Sequence, residues 1–173
     1  MAEDLIVKKK VSYSGVFDLK EFYDLLNSAF GDLAYEVVEK DHKLKHQSRG
    51  LLYGFIWEGE KNVDDYSRLK LWLKVQATSL KKVEIEDGGK KREMYEGDVL
   101  MVFQGFVVTD YGGKWAANPY LVFLKGFFDK YLYGRQGSPA LAKGVYKEWV
   151  AKMDSDVKEV INEAKSFLQM YKA

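Results

Sequence analysis

Residues 67–79, SRLKLWLKVQATS, show the cleanest alternation in this 173-residue chain. Leu69, Leu71, Leu73, Val75 and Ala77 fall on one side of an extended backbone, and Arg68, Lys70, Trp72, Lys74 and Gln76 on the other. Successive side chains of a strand point to opposite faces, so this is a strand with one dry and one wet face. Such strands build antiparallel sheets that are covered on one side only. What can cover the dry side decides the fold.

More strands lie on either side. Residues 4–13 and 33–45 alternate, 51–58 are short and aromatic, and QSRG at 47–50 is a turn. VEIEDGGKKREMY at 83–95 reads as a hairpin turning on Asp87-Gly88-Gly89. DVLMVFQGFVVT at 98–109 is apolar on both faces, as a central strand would be. About seven strands result, joined as an antiparallel meander after the first.

Helices supply the cover. In GVFDLKEFYDLLNSAFG, Asp18 and Glu21 have capping-box spacing and Phe17 and Phe22 form a hydrophobic staple. A helix is predicted over 18–30, with Gly31 as its stop. From Ser138-Pro139 onward, Leu141, Val145, Trp149, Met153, Val157, Val160, Ala164, Phe167 and Tyr171 recur at steps of three and four. That stripe predicts one helix of about nine turns, kinked at Gly144 or at Asp154-Ser155-Asp156. NPYLVFLKGFFDKYLYG at 118–134 starts on a good cap, Asn118-Pro119, and ends at Gly134. It is too short and too charged to span a bilayer, which takes roughly 20 apolar residues. Lys125, Asp129 and Lys130 give only a narrow wet edge, without the strong polar face of an interfacial helix. The segment therefore reads first as a core or sheet-packing helix, with the wall or lid of an apolar pocket, or a membrane-surface or partner contact, as the alternatives.

Composition bounds the function. One domain, 1–173, fits the length. Hydrophobic residues are 47% and aromatics 15%, a folded profile rather than a disordered one. Lys and Arg number 27 against 26 Asp and Glu, and only Arg49, Arg68, Arg92 and Arg135 carry guanidinium groups. No nucleic-acid partner is expected from that balance. The chain has no cysteine, which removes disulfide, zinc-finger and thiol chemistry. MAEDLIVKKKVSYSG does not read as a signal peptide, so the expected location is the cytoplasm.

Strand, helix, meander and long terminal helix together resemble the helix-grip arrangement of START and Bet v 1-like proteins. The resemblance is carried by DLKEFYDLLNSAF, by the meander from Leu33 to Thr109 and by the helix from Ser138. It implies an α+β fold in which a curved sheet wraps the terminal helix and an apolar ligand occupies the gap. The stripe Leu141, Val145, Trp149, Met153 and Val157 would then face the sheet. The family usually has two short helices after its first strand, and the 118–134 helix is additional to its pattern.

Candidate chemistry is sparse. His42 and His46, on one face of a strand, would stand about 13 Å apart, too far for a shared metal. The acidic connection Glu58, Glu60, Asp64 and Asp65 lacks calcium-loop spacing. YGGK at 111–114 and GRQGS at 134–138 precede helices, but match no phosphate-binding loop. No metal, cofactor or catalytic set is therefore expected, and an enzyme is the weaker expectation. Gln104 is the one polar residue inside VLMVFQGFVV, and a buried amide needs partners. Gln104, Tyr35, Trp149, Met153 and Phe106 are the candidate contacts for an apolar or aromatic small molecule held between sheet and terminal helix. The competing expectation is a non-enzymatic interaction module with a filled core. It would contact a partner protein or a second copy through Trp57, Trp72, Trp115 or the 118–134 helix.

Overall fold

β1 (Ala2–Phe17), β2 (Glu36–Gln47), β3 (Gly50–Asn62), β4 (Ser67–Asp87) and β5 (Lys90–Thr109) form one antiparallel sheet in the order β1-β5-β4-β3-β2. The structure, a computed structural model, describes residues 1–135 and 138–169. Five long strands stand where about seven short ones were expected. The apparent breaks near 80–82 and 96–97 are bends inside continuous strands. The β4–β5 ladder shifts register between Thr78 and Lys81, and Ser79 takes a left-handed φ of 56°. Gly97 lies against this bend, where a Cβ would come 2.8 Å from the Thr78 carbonyl oxygen and from Leu80 Cδ2. A bulge of this kind turns a strand without ending it.

α1 (Leu19–Asp32) forms as its cap signals require. Asp18 Oδ1 accepts from Glu21 N at 2.9 Å, and the Phe17 and Phe22 rings meet edge to face at 5.9 Å. α1 packs on α3 (Gly144–Gln169), and α3 lies across β1, β5 and β4. The dry sheet face meets this helical layer. Leu69, Leu71, Leu73, Met101, Phe103, Met153, Val157, Val160 and Ala164 are all fully buried.

Three expectations about the C-terminal half need correction. α3 begins at Gly144 and runs unbroken through Asp154-Ser155-Asp156, after a separate 3-10 turn at Pro139–Leu141. The stripe faces the sheet only from Trp149 onward, because Leu141 is 62% and Val145 42% exposed. Its last member, Tyr171, lies outside the described residues, as do Gln136 and Gly137 of the GRQGS turn. The largest correction concerns α2 (Pro119–Phe127), which widens into a π turn at Phe128–Tyr133. It is not a core helix: none of the α2 residues is buried. Among the described residues no helix is long and apolar enough to cross a membrane.

Candidate docking surface

Asn118 opens α2 by accepting from Leu121 N at 2.9 Å, and Gly134 closes the π turn with φ 89°. Between them the charged edge of the segment turns inward. Asp129 is only 6% exposed. It accepts from the Tyr66 hydroxyl and, at 2.9 Å, from Lys125 Nζ, while the Arg135 guanidinium stands 3.7 Å away. Arg135 reaches across to β1, donating through Nε and Nη2 to the two Asp4 oxygens at 2.7 Å each. Tyr146 of α3 also donates to Asp4, and Tyr133 shares a hydrogen bond with Ser67.

Rings fill the space between these polar ties. Trp115 stacks on Phe128 at 5.7 Å, and Tyr66 meets Phe128 edge to face at 5.4 Å. The Arg135 hydrogen bonds hold the Asp4 carboxyl below its ordinary range, against the opposing effect of burial. Burial pushes the Tyr133 hydroxyl up to about 12. This lobe, residues 114–135, is thus pinned by its charged side to the end of the sheet where β1 and β4 begin.

The apolar side of the lobe consequently faces outward. Tyr120, Phe123, Phe127, Tyr131 and Leu132 are 53–73% exposed. With Val122, Leu141 and Val145 they make eight of the thirteen exposed large hydrophobics among the described residues. Scattered exposed apolar residues are ordinary, whereas this many within residues 120–145 make the segment the candidate contact surface.

The five candidate ligand contacts do not converge. Alternation along β5 sends Gln104 and Phe106 to the outer sheet face, opposite Met101 and Phe103. There Gln104 pairs with Lys8 and Trp72, and Lys70 Nζ lies 6.0 Å from the Phe106 ring centre. Tyr35 and Met153 are on the inner side. Met153 sits where a Cβ on Gly105 would be, 2.5 Å from its Sδ. Tyr35 donates to Asp156 Oδ2 at 2.8 Å, and Lys152 Nζ meets Oδ1 at 2.7 Å. Trp149 is half-buried and donates to Asp64 at 3.2 Å.

Two clefts, of about 510 and 770 Å³, lie along the strand bend and draw on Ser12, Gln76 and Asp98, and on Arg49, Ser79 and Glu96. Neither is lined by α3. Of the three tryptophans named for contact, Trp57 is buried in the core and bonds Glu39, Trp72 is half-buried on the outer face, and Trp115 underlies the lobe. His42 bonds Glu39, and no group of three or more metal-binding side chains occurs among the described residues.

The sequence reading missed two features. Asp156 belongs to the triplet expected to kink the terminal helix, yet the helix runs unbroken through it and the side chain is 0% exposed. Its place between Met153 and Val160 on the buried stripe was the available signal. The outward turn of α2 left no such trace. Two charges four residues apart look the same whether they face water or a buried tyrosine. No family model, curated protein or solved structure matches the chain.

Proposed function

We propose that this protein is a non-enzymatic docking module. In this reading it is a domain of helix-grip type with a filled interior, and its contact surface is the α2 lobe. One observation carries the proposal. The lobe is an inverted amphipathic helix, with Lys125 and Asp129 held inward and Phe123 73% exposed. Burying a large apolar side chain is worth roughly 1.5–3 kcal/mol, so eight left in water leave a strong drive to be covered.

The alternative is an apolar ligand between sheet and α3. That needs several hundred Å³ of room, in a layer where Met153 already fills the notch at Gly105 and Leu71 and Phe103 are fully buried. The docking reading has the stronger support.

The apolar-surface dye ANS separates the two, with near-UV circular dichroism as the check on folding. The wild type should bind dye while folded. The Phe123→Ser/Leu132→Ser double variant should lose most of that signal, with its melting temperature within about 2 °C, because exposed positions contribute little to stability. Dye binding that survives the double substitution would place the site inside and sink the docking reading.

A further inference from the structure

We infer that the surface covered by the α2 lobe is an anionic lipid membrane. The proposal rests on the docking reading above and names its partner.

Charge is the first ground. Between Tyr111 and Lys147 the chain carries Lys114, Lys125, Lys130, Arg135, Lys143 and Lys147 against a single acid, Asp129. This surplus of five cations sits in a chain whose net charge is only +1, so the remainder is acidic on balance. Asp129 is buried on Lys125, and Asp4 takes Arg135, which leaves no exposed acid within the lobe. Of the flanking acids, Asp110 is buried and Glu148 lies one residue beyond Lys147. Lys114, Lys130, Lys143 and Lys147 are exposed. The turn holding Lys114 packs on α2, Lys130 lies 5.1 Å from the Tyr131 ring centre, and Lys143 N bonds the Gly134 carbonyl. Exposed Asp65 and Glu148 also stand near the segment, so with four exposed lysines against them the surroundings of the apolar patch are basic on balance.

Shape is the second. Tyr120, Phe123, Phe127 and Tyr131 follow one another at steps of three and four along the helix, and all stand more than half exposed. They form an outward-facing ridge. A ridge needs either a complementary groove or a soft surface that yields to it. A second copy meets the same patch across a two-fold axis, which would bring two basic rims together, and like charges in apposition repel. An anionic bilayer answers both features. Its headgroups attract lysines, and its acyl boundary accepts an apolar helix face to a depth of about 5–10 Å. Aromatic side chains with a polar tip, such as Tyr120 and Tyr131, favour that boundary.

The lobe also lacks the usual amphipathic signature for a structural reason. An interfacial helix on its own needs a polar side for water. Here the protein body takes that role, because Tyr66, Asp129 and Arg135 satisfy the inward edge.

Co-sedimentation of the full chain with large vesicles tests this. Phosphatidylcholine vesicles with about one-third phosphatidylserine should pellet the protein, and pure phosphatidylcholine should not. Lys143→Gln/Lys147→Gln should weaken binding about thirtyfold, since each lysine near a charged membrane contributes about fivefold. Phe123→Ser/Leu132→Ser should abolish it, and raising the salt to about 0.5 M should release the wild type. No pelleting with anionic vesicles, while ANS still reports the lobe, would overturn the lipid inference and leave the docking reading standing. A concentration-dependent dimer lost in the Phe123→Ser/Leu132→Ser variant would overturn it in favour of a second copy. Vesicle binding that neither double variant alters would overturn both.

Discussion

Asp156 is a carboxylate with no exposed surface, held by one hydroxyl and one ammonium. Lys152, 43% exposed at its side chain, brings charge from the water side, and Tyr35 supplies the dry contact. Burial, with the Asp156 charge adding to it, drives the Tyr35 hydroxyl far above the ordinary tyrosine range, so it stays a donor at any physiological pH. The bond joins the residue just before β2 to the middle of α3, 121 residues apart in sequence. Removing a partner from a buried acceptor costs about 1–3 kcal/mol. Tyr35→Phe should therefore lower unfolding free energy by that amount in urea titration. Lys152→Met should cost at least as much, because it leaves the fully buried Asp156 without its counter-charge. An unchanged Tyr35→Phe midpoint would mean that the hydroxyl adds nothing to docking α3.

At the scale of elements, the seat of the lobe depends on one glycine. Gly134 has φ 89°, and a Cβ there would fall 1.9 Å from the Lys143 carbonyl oxygen, a backbone atom with little room to move. Only glycine lets the end of the π turn lie against the entry to α3. Gly134→Ala should cost at least about 1–3 kcal/mol from the left-handed conformation alone. Limited proteolysis should then cut within 118–135 well before the sheet is attacked. Equal cleavage rates in wild type and variant would show that the contact does not hold the lobe. The strands illustrate a second element-scale effect. β4 and β5 were read as broken at Leu80-Lys81-Lys82 and Glu96-Gly97, because a bulge and a chain break leave the same interruption in a period-two pattern. Only the partner strand, which continues through both, distinguishes them.

At the scale of the whole molecule, tyrosines set the alkaline limit. Burial pushes Tyr53 and Tyr133 to about 12, and Tyr35, Tyr66 and Tyr146 are raised further by burial and neighbouring carboxylates. A tyrosine is neutral when protonated, so a raised folded value means that the fold favours the protonated form. The stability this contributes is complete below the unfolded value near 10 and is lost as pH rises from about 10 towards 12. Melting temperature should fall steeply across that window, together with a cooperative rise in phenolate absorbance. Stepwise ionisation with no loss of the fold would contradict it. On the acid side Asp4 runs the other way. Its lowered value supports the fold above about pH 4, and that support fades as pH falls below this.

The sequence by itself determined what depends on neighbours along the chain. The alternation at Leu69–Ala77, the cap and staple at Phe17–Phe22, the Asn118-Pro119 start and the Gly88-Gly89 turn each involve residues a few positions apart. Each therefore specified its element, and their order gave an α+β chain with a meander and a terminal helix. Tertiary structure decided whatever depends on which side of an element meets which partner. It placed Gln104 and Phe106 outside the sheet, because only the position of α3 says which face of β5 is dry. It buried Asp156 by bringing Tyr35 to it across 121 residues. It turned the α2 segment inside out, because Tyr66, 63 residues away, captured its one acid and Arg135 tied it to Asp4, 131 residues away. A hydrophobic pattern records that a side chain is apolar, whereas its exposure is fixed by contacts that the pattern does not contain.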